Sequence, residues 1–168
     1  MKTLKSVIYS LSLVLAVAFS VSAQANLTSL DGSRVNIEGQ AGKVVVIAIG
    51  ASWLPLSNKQ AEYTNILAKK YAGKNVVCYF VATDSANAKS KNFATNESIQ
   101  KFAFDNKITA TVLRDSDGAA TLRKYKVEQV PSFVILDKSG NQAGEPFGGI
   151  DPKYDITLPI SRAIDKLL

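Results

Sequence analysis

Apolar positions along the chain fall into two kinds of run. Val44 to Gly50 ("VVVIAIG") and Asn75 to Thr83 ("NVVCYFVAT") are unbroken and rich in β-branched residues, the pattern of central strands buried on both faces. Between them Tyr63, Ile66, Leu67 and Tyr71 recur at i, i+3, i+4 and i+8, one face of a helix that Gly73 would end. Leu27 to Ile37 reads as a short hairpin turning at Asp31-Gly32. After a polar stretch from Asp84 to Asn92, Thr95 or Asn96 can cap a helix with Ile99, Phe102 and Ala103 inward. "TVLRD" is a short strand, and Ser116 or Asp117 caps a short helix through Leu122 and Tyr125. "PSFVILDKSGNQAGEPFGG" predicts a strand, a Ser139-Gly140 turn and an antiparallel return. A last helix places Ile160, Ala163, Ile164, Leu167 and Leu168 together, starting near Pro159. Strands alternating with helices, then an antiparallel pair, predict an α/β fold: a central mixed β-sheet flanked by helices on both faces, with an N-terminal β-hairpin.

The amino-terminal run has a different character. Lys2 and Lys5 precede an almost wholly apolar stretch from Val7 to Val21, and Ala23-Gln24-Ala25 has the small-x-small form of a cleavage site. Residues 1–25 therefore read as a secretory signal peptide, and 26–168 as one exported domain, periplasmic or secreted. No later apolar run is long enough to span a membrane, so no span is expected after cleavage.

Charge and chemistry narrow the function. The 168-residue chain carries a formal net charge of +6, from 20 basic and 14 acidic residues. Its lysines, such as Lys59, Lys69, Lys70, Lys74 and Lys101, are scattered along helices, which reads as a solvated basic surface rather than a nucleic-acid site. With no histidine, the chain has no His metal ligand and no Ser-His or Cys-His nucleophilic pair. A single cysteine, Cys78, cannot form an internal disulfide. It stands in an apolar strand, where a thiol packs as a small hydrophobe and its pKa rises. No cofactor and no metal are expected.

Three segments carry a resemblance: "GKVVVIAIGASWLPLS", "NVVCYFVATD" and "QVPSFVILDKSG", in this order. In these the chain resembles the periplasmic thioredoxin-like proteins of the TlpA type, a family bordering on the peroxiredoxins, and the resemblance covers nearly all of the mature chain. It implies a thioredoxin-like fold with a redox turn opening the first long helix. There the attacking cysteine would stand at Leu54 and the resolving one at Ser57. Leucine has no nucleophile, and a serine hydroxyl does not exchange with disulfides, so no catalytic residue is assigned. The resemblance also implies a cis bond at Val130-Pro131, beside the turn, in a loop that pairs with extended substrate backbone.

The expected function is therefore non-covalent binding of an exported protein or extended peptide in a groove of Trp53, Leu54, Pro55, Leu56, Val130 and Pro131. The alternatives are a thiol-dependent oxidoreductase or antioxidant acting through Cys78, perhaps with a partner thiol, and a structural subunit without a ligand.

Overall fold

The computed structural model describes residues 27–116 and 118–168. The expected leader and Asp117, one of the two expected caps, lie outside them. Ten elements follow in order: β1 (Leu27–Ser29), β2 (Val44–Gly50), α1 (Pro55–Lys70), β3 (Val76–Ala82), α2 (Asn96–Asp105), β4 (Thr111–Asp115), α3 (Ala119–Lys124), β5 (Ser132–Leu136), β6 (Phe147–Gly148) and α4 (Thr157–Asp165).

The strands form one six-stranded sheet in the order β1-β4-β3-β2-β5-β6. β2, β3 and β4 run parallel, while β1, β5 and β6 join antiparallel. Because side chains alternate along a strand, β2 serves two cores. Val44, Val46 and Ala48 face a layer that includes Leu67 of α1, Phe102 of α2 and Ile160 of α4. Val45, Ile47 and Ile49 face Leu113, Tyr125 and Val127, with Leu122 of α3 packed against them. Every residue of β2 is buried, as its unbroken apolar run requires. Helices cover both faces of the mixed sheet.

Local chemistry sets several boundaries. Thr95 caps α2 by accepting the Ser98 N–H at 3.1 Å. At the start of α3 the N-cap is Gly118, and the carboxylate of Asp115 accepts the Thr121 N–H at 2.7 Å. The helix signal there thus comes from the end of the preceding strand rather than from Ser116.

Three expectations change in detail. The N-terminal hairpin consists of β1 and a single antiparallel bridge from Thr28 to Arg34, while the other edge of β1 pairs with β4. After the Ser139-Gly140 turn the chain makes only one bridge, Leu136 to Gln142, before reaching β6. Ile66 is 43% exposed, outside the buried stripe of α1. That stripe includes Ser57, Gln60, Ala61, Thr64 and Leu67, so the helix is turned further towards its polar residues than the apolar spacing alone implies.

Candidate functional site

In an open α/β sheet the carboxyl ends of parallel strands form the usual crevice for ligands. Here those ends are Gly50, Ala82 and Asp115. The turn Ala51–Leu54 leaves β2 at this edge and enters α1. Leu54 is the N-cap residue, extended at φ −79° and ψ 127°, and makes no side-chain cap hydrogen bond. Pro55 follows within the first helical turn, where its missing N–H costs nothing.

The turn is held from below by Asp84, which is fully buried. Its carboxylate accepts the Ser52 N–H at 3.0 and 3.1 Å and the Ser52 hydroxyl at 2.7 Å. Asp84 in turn lies in a loop fixed by Arg114 of β4. That guanidinium donates to the carbonyls of Ser85 (2.8 Å) and Ala94 (2.5 Å) and to Asn96 Oδ1 (2.6 Å). A chain of polar contacts therefore runs from β4 through the loop to the turn.

A second polar cluster lies under the first turn of α1. Ser57 is buried and its hydroxyl accepts the Ala51 N–H at 3.4 Å. Gln60, also buried, donates from Nε2 to the Ile49 carbonyl at 3.1 Å and to the Ser132 carbonyl at 2.7 Å, tying β2 to β5 across the helix. Gly50 makes room for this arrangement: a Cβ there would overlap Gln60 Oε1 and lie 3.0 Å from Ser57 Oγ.

The residues singled out from the sequence separate into distinct settings. Trp53 is 53% exposed and Leu56 39% exposed. Pro55 is exposed and Leu54 half-buried. The Val130-Pro131 bond is cis, with Pro131 buried and Val130 half-buried and packed against the core on the α3 side of the sheet. Pro55 and Leu56 border an open depression of about 720 Å³ that follows the outer face of α1.

Cys78 is a buried free thiol of β3. Burial pushes its pKa up to about 12, so it carries no thiolate near neutrality. It pairs in register with Val46, four residues before the Gly50 end of β2. At ~3.3 Å per residue it lies about 13 Å from the crevice edge. Among the described residues no group of three or more His, Cys, Asp or Glu side chains could hold a metal ion. None of the helices described is long and apolar enough to cross a membrane.

Asp84, Gln60 and Arg114 were not singled out by sequence reasoning. Asp84 offered a weak signal as the acid that follows a valine-rich strand. Ser57, Gln60 and Thr64 at i, i+3 and i+7 mark one helical face, but only an apolar stripe would have identified it as the inner one.

The parallel β2-β3-β4 core, the antiparallel β5-β6 edge and a helix that opens at the carboxyl end of β2 define a thioredoxin-like protein. Residues 16–142 match the Redoxin family model, and the chain belongs to the Redoxin family. A secreted Mycobacterium tuberculosis disulfide oxidoreductase homologous to E. coli DsbE is 22% identical, with a TM-score of 0.64 over 86% of this chain and 96% of that one. A thioredoxin-like protein from Aeropyrum pernix is 19% identical, with a TM-score of 0.66 over 83% and 87%. The exposed lipoprotein thioredoxin Etrx1 of Streptococcus pneumoniae is 19% identical, with a TM-score of 0.63 over 84% and 97%. At these identities the likeness is one of fold. No curated protein matches the chain.

Proposed function

We propose that this chain is an exported, redox-inactive member of its family that binds an extended peptide or partner protein without covalent chemistry. Its leader would be residues 1–25 and its working domain 26–168, in the periplasm or outside the cell. The observation that carries the reading is the sulfur-free turn: it has Leu54 and Ser57 where the family resemblance would place the two sulfurs of thiol exchange. Thiol–disulfide exchange starts with thiolate attack on a disulfide sulfur. The one thiol of the chain is buried at a distance, with its pKa raised.

What remains at the turn is apolar surface held in a fixed shape. Trp53 and Leu56 are partly exposed, and the backbone beneath them is fastened by Asp84. Fixing a surface before binding reduces the ordering cost of association. Those features suit a recognition turn better than a catalytic one.

The test pairs Leu54→Asp with Trp53→Ala in affinity capture from the exported fraction, with and without reductant. The reading expects capture by the parent protein to survive reductant and to weaken in both variants, with thermal unfolding little changed for Trp53→Ala. Capture lost on reduction, or undiminished in both variants, overturns it. Neither a model disulfide nor a peroxide should be turned over by the parent protein.

A further inference from the structure

The outer face of α1 and the end of α2 meet in a surface that starts at Leu56 and runs away from the turn. The depression of about 720 Å³ beside Leu56 continues past Ile66 to Lys107. There it adjoins a second depression of about 630 Å³, lined by Phe104, Lys107 and Ile108. Phe104, 83% exposed, lines the second depression, while the partly exposed Ile66 and Leu56 line the first, and Lys107 borders both. Large apolar side chains grouped on an exposed face mark an interaction site.

The two helices are clamped at this seam. Asn65 of α1 donates to the Asn106 carbonyl at 3.1 Å and accepts the Thr109 N–H at 3.0 Å. The apolar residues therefore keep a fixed spacing. Charge tells what the surface faces. Lys59 pairs with Glu62, and Lys101 with Asp105, each at 2.8 Å. Among the described residues Lys69 and Lys107 have no carboxylate partner, although both border the first depression. The groove thus presents surplus positive charge around an apolar floor. The full chain carries +6, and without the expected leader, which holds Lys2 and Lys5, its charge is still about +4, so a second copy would be repelled on approach, since like charges oppose association.

Lys107 is also held in a conformation that lysine disfavours. Its N–H donates to the Phe104 carbonyl and the Ile108 N–H to the Ala103 carbonyl, the pattern that ends a helix with a left-handed residue. Lys107 has φ +52°, where glycine is the residue of least cost. Lys126, after α3, is held the same way at φ +54° but borders neither depression.

We propose that this groove, with Leu56, Ile66 and Phe104 as its apolar floor and Lys69 and Lys107 at its rim, docks an acidic segment of a partner protein that carries apolar side chains. This rests on the non-covalent binding reading and adds to the turn a second contact on the α1–α2 face.

The test measures the anisotropy of two short fluorescent peptides with the purified protein, one alternating leucine with glutamate and the other leucine with lysine. The glutamate peptide should bind about tenfold tighter or more and weaken as salt is added. Ile66→Glu and Phe104→Asp, both at exposed positions, should abolish that preference without unfolding the protein. Lys107→Gly should raise the melting temperature yet weaken binding, whereas Lys126→Gly should raise the melting temperature and leave binding unchanged. Equal affinity for the two peptides, no binding of either, or binding indifferent to Ile66→Glu, Phe104→Asp and Lys107→Gly overturns the proposal. Partner capture that fails in Leu54→Asp but persists in Ile66→Glu and Phe104→Asp leaves the binding reading standing and removes this site. Capture that depends on a thiol removes both.

Discussion

At the scale of single residues, a turn with leucine at position 54 and serine at 57 offers no sulfur for exchange, and burial decides what the one thiol, Cys78, can do. Cys78 sits in the core layer shared with Phe80 and Phe102, with 8% of its surface exposed. A thiol reagent should leave Cys78 unmodified in the native protein and label it rapidly once the chain is unfolded; fast native labelling would restore the thiol-dependent alternative. Its titration also has a sign. The native pKa is raised from 9.0 to about 12 by desolvation, so between those values the unfolded chain releases a proton that the folded one keeps. This contribution to stability is fully present below about pH 9 and is lost as pH rises towards about 12, with a slope of up to ~1.4 kcal/mol per pH unit. Replacing Cys78 by Ala should flatten that part of the alkaline unfolding profile, measured by denaturant melts at successive pH values.

Between elements, the turn depends on the buried guanidinium of Arg114, one step removed from it. Arg114 joins β4 to the loop that precedes α2 through carbonyl acceptors, and the same loop carries Asp84 under the Ser52 amide. Removing the guanidinium takes the donor from the buried carbonyls of Ala94 and Asp84, and each such loss costs about 1–3 kcal/mol. Arg114→Met, which keeps most of the packing volume, should therefore lower stability by roughly 2–4 kcal/mol. Hydrogen exchange at the Ser52 amide should also quicken, because the loop that holds Asp84 is loosened. Unchanged Ser52 exchange would show that Asp84 holds its place without Arg114. The helix α1 gives the complementary lesson. Its inner face carries Ser57, Gln60 and Thr64 near the crevice and Leu67 further along, so polar side chains fasten the end of the sheet while apolar ones pack its middle.

For the molecule as a whole, the question is whether the scaffold still supports exchange chemistry. The helix still opens at the carboxyl edge of the sheet, with Leu54 at its N-cap and Ser57 three residues on. A thiol placed at a helix N-terminus is acidified by the free amides and the helix dipole. The double variant Leu54→Cys with Ser57→Cys should therefore reduce a model disulfide in turnover with a dithiol donor, while Ser57→Cys alone should not. An inactive double variant that remains folded would show that the turn has changed in more than its two side chains. This outcome separates a scaffold preserved for binding from one whose redox geometry has gone.

The order of strands and helices, the doubly buried β2 and the absence of sulfur from the turn follow from the sequence alone. Unbroken β-branched runs can hide both faces only in the middle of a covered sheet, and a missing nucleophile is a matter of composition. The depth of Cys78 was legible for the same reason. Other features depend on which face of an element meets the core. The outward position of Ile66, the inward Gln60 and the short arm after β1 required neighbours that lie far away in the chain. Asp84 and Ser52 are separated by 32 positions, and Gln60 and Ser132 by 72, so no local period records their pairing. The groove between α1 and α2 arises likewise: Ile66 and Phe104 belong to helices whose relative placement is set by packing and by the Asn65 clamp. Periodicity fixes a residue's direction about its own helix axis, whereas a surface shared by two helices exists only once tertiary contacts have brought them together.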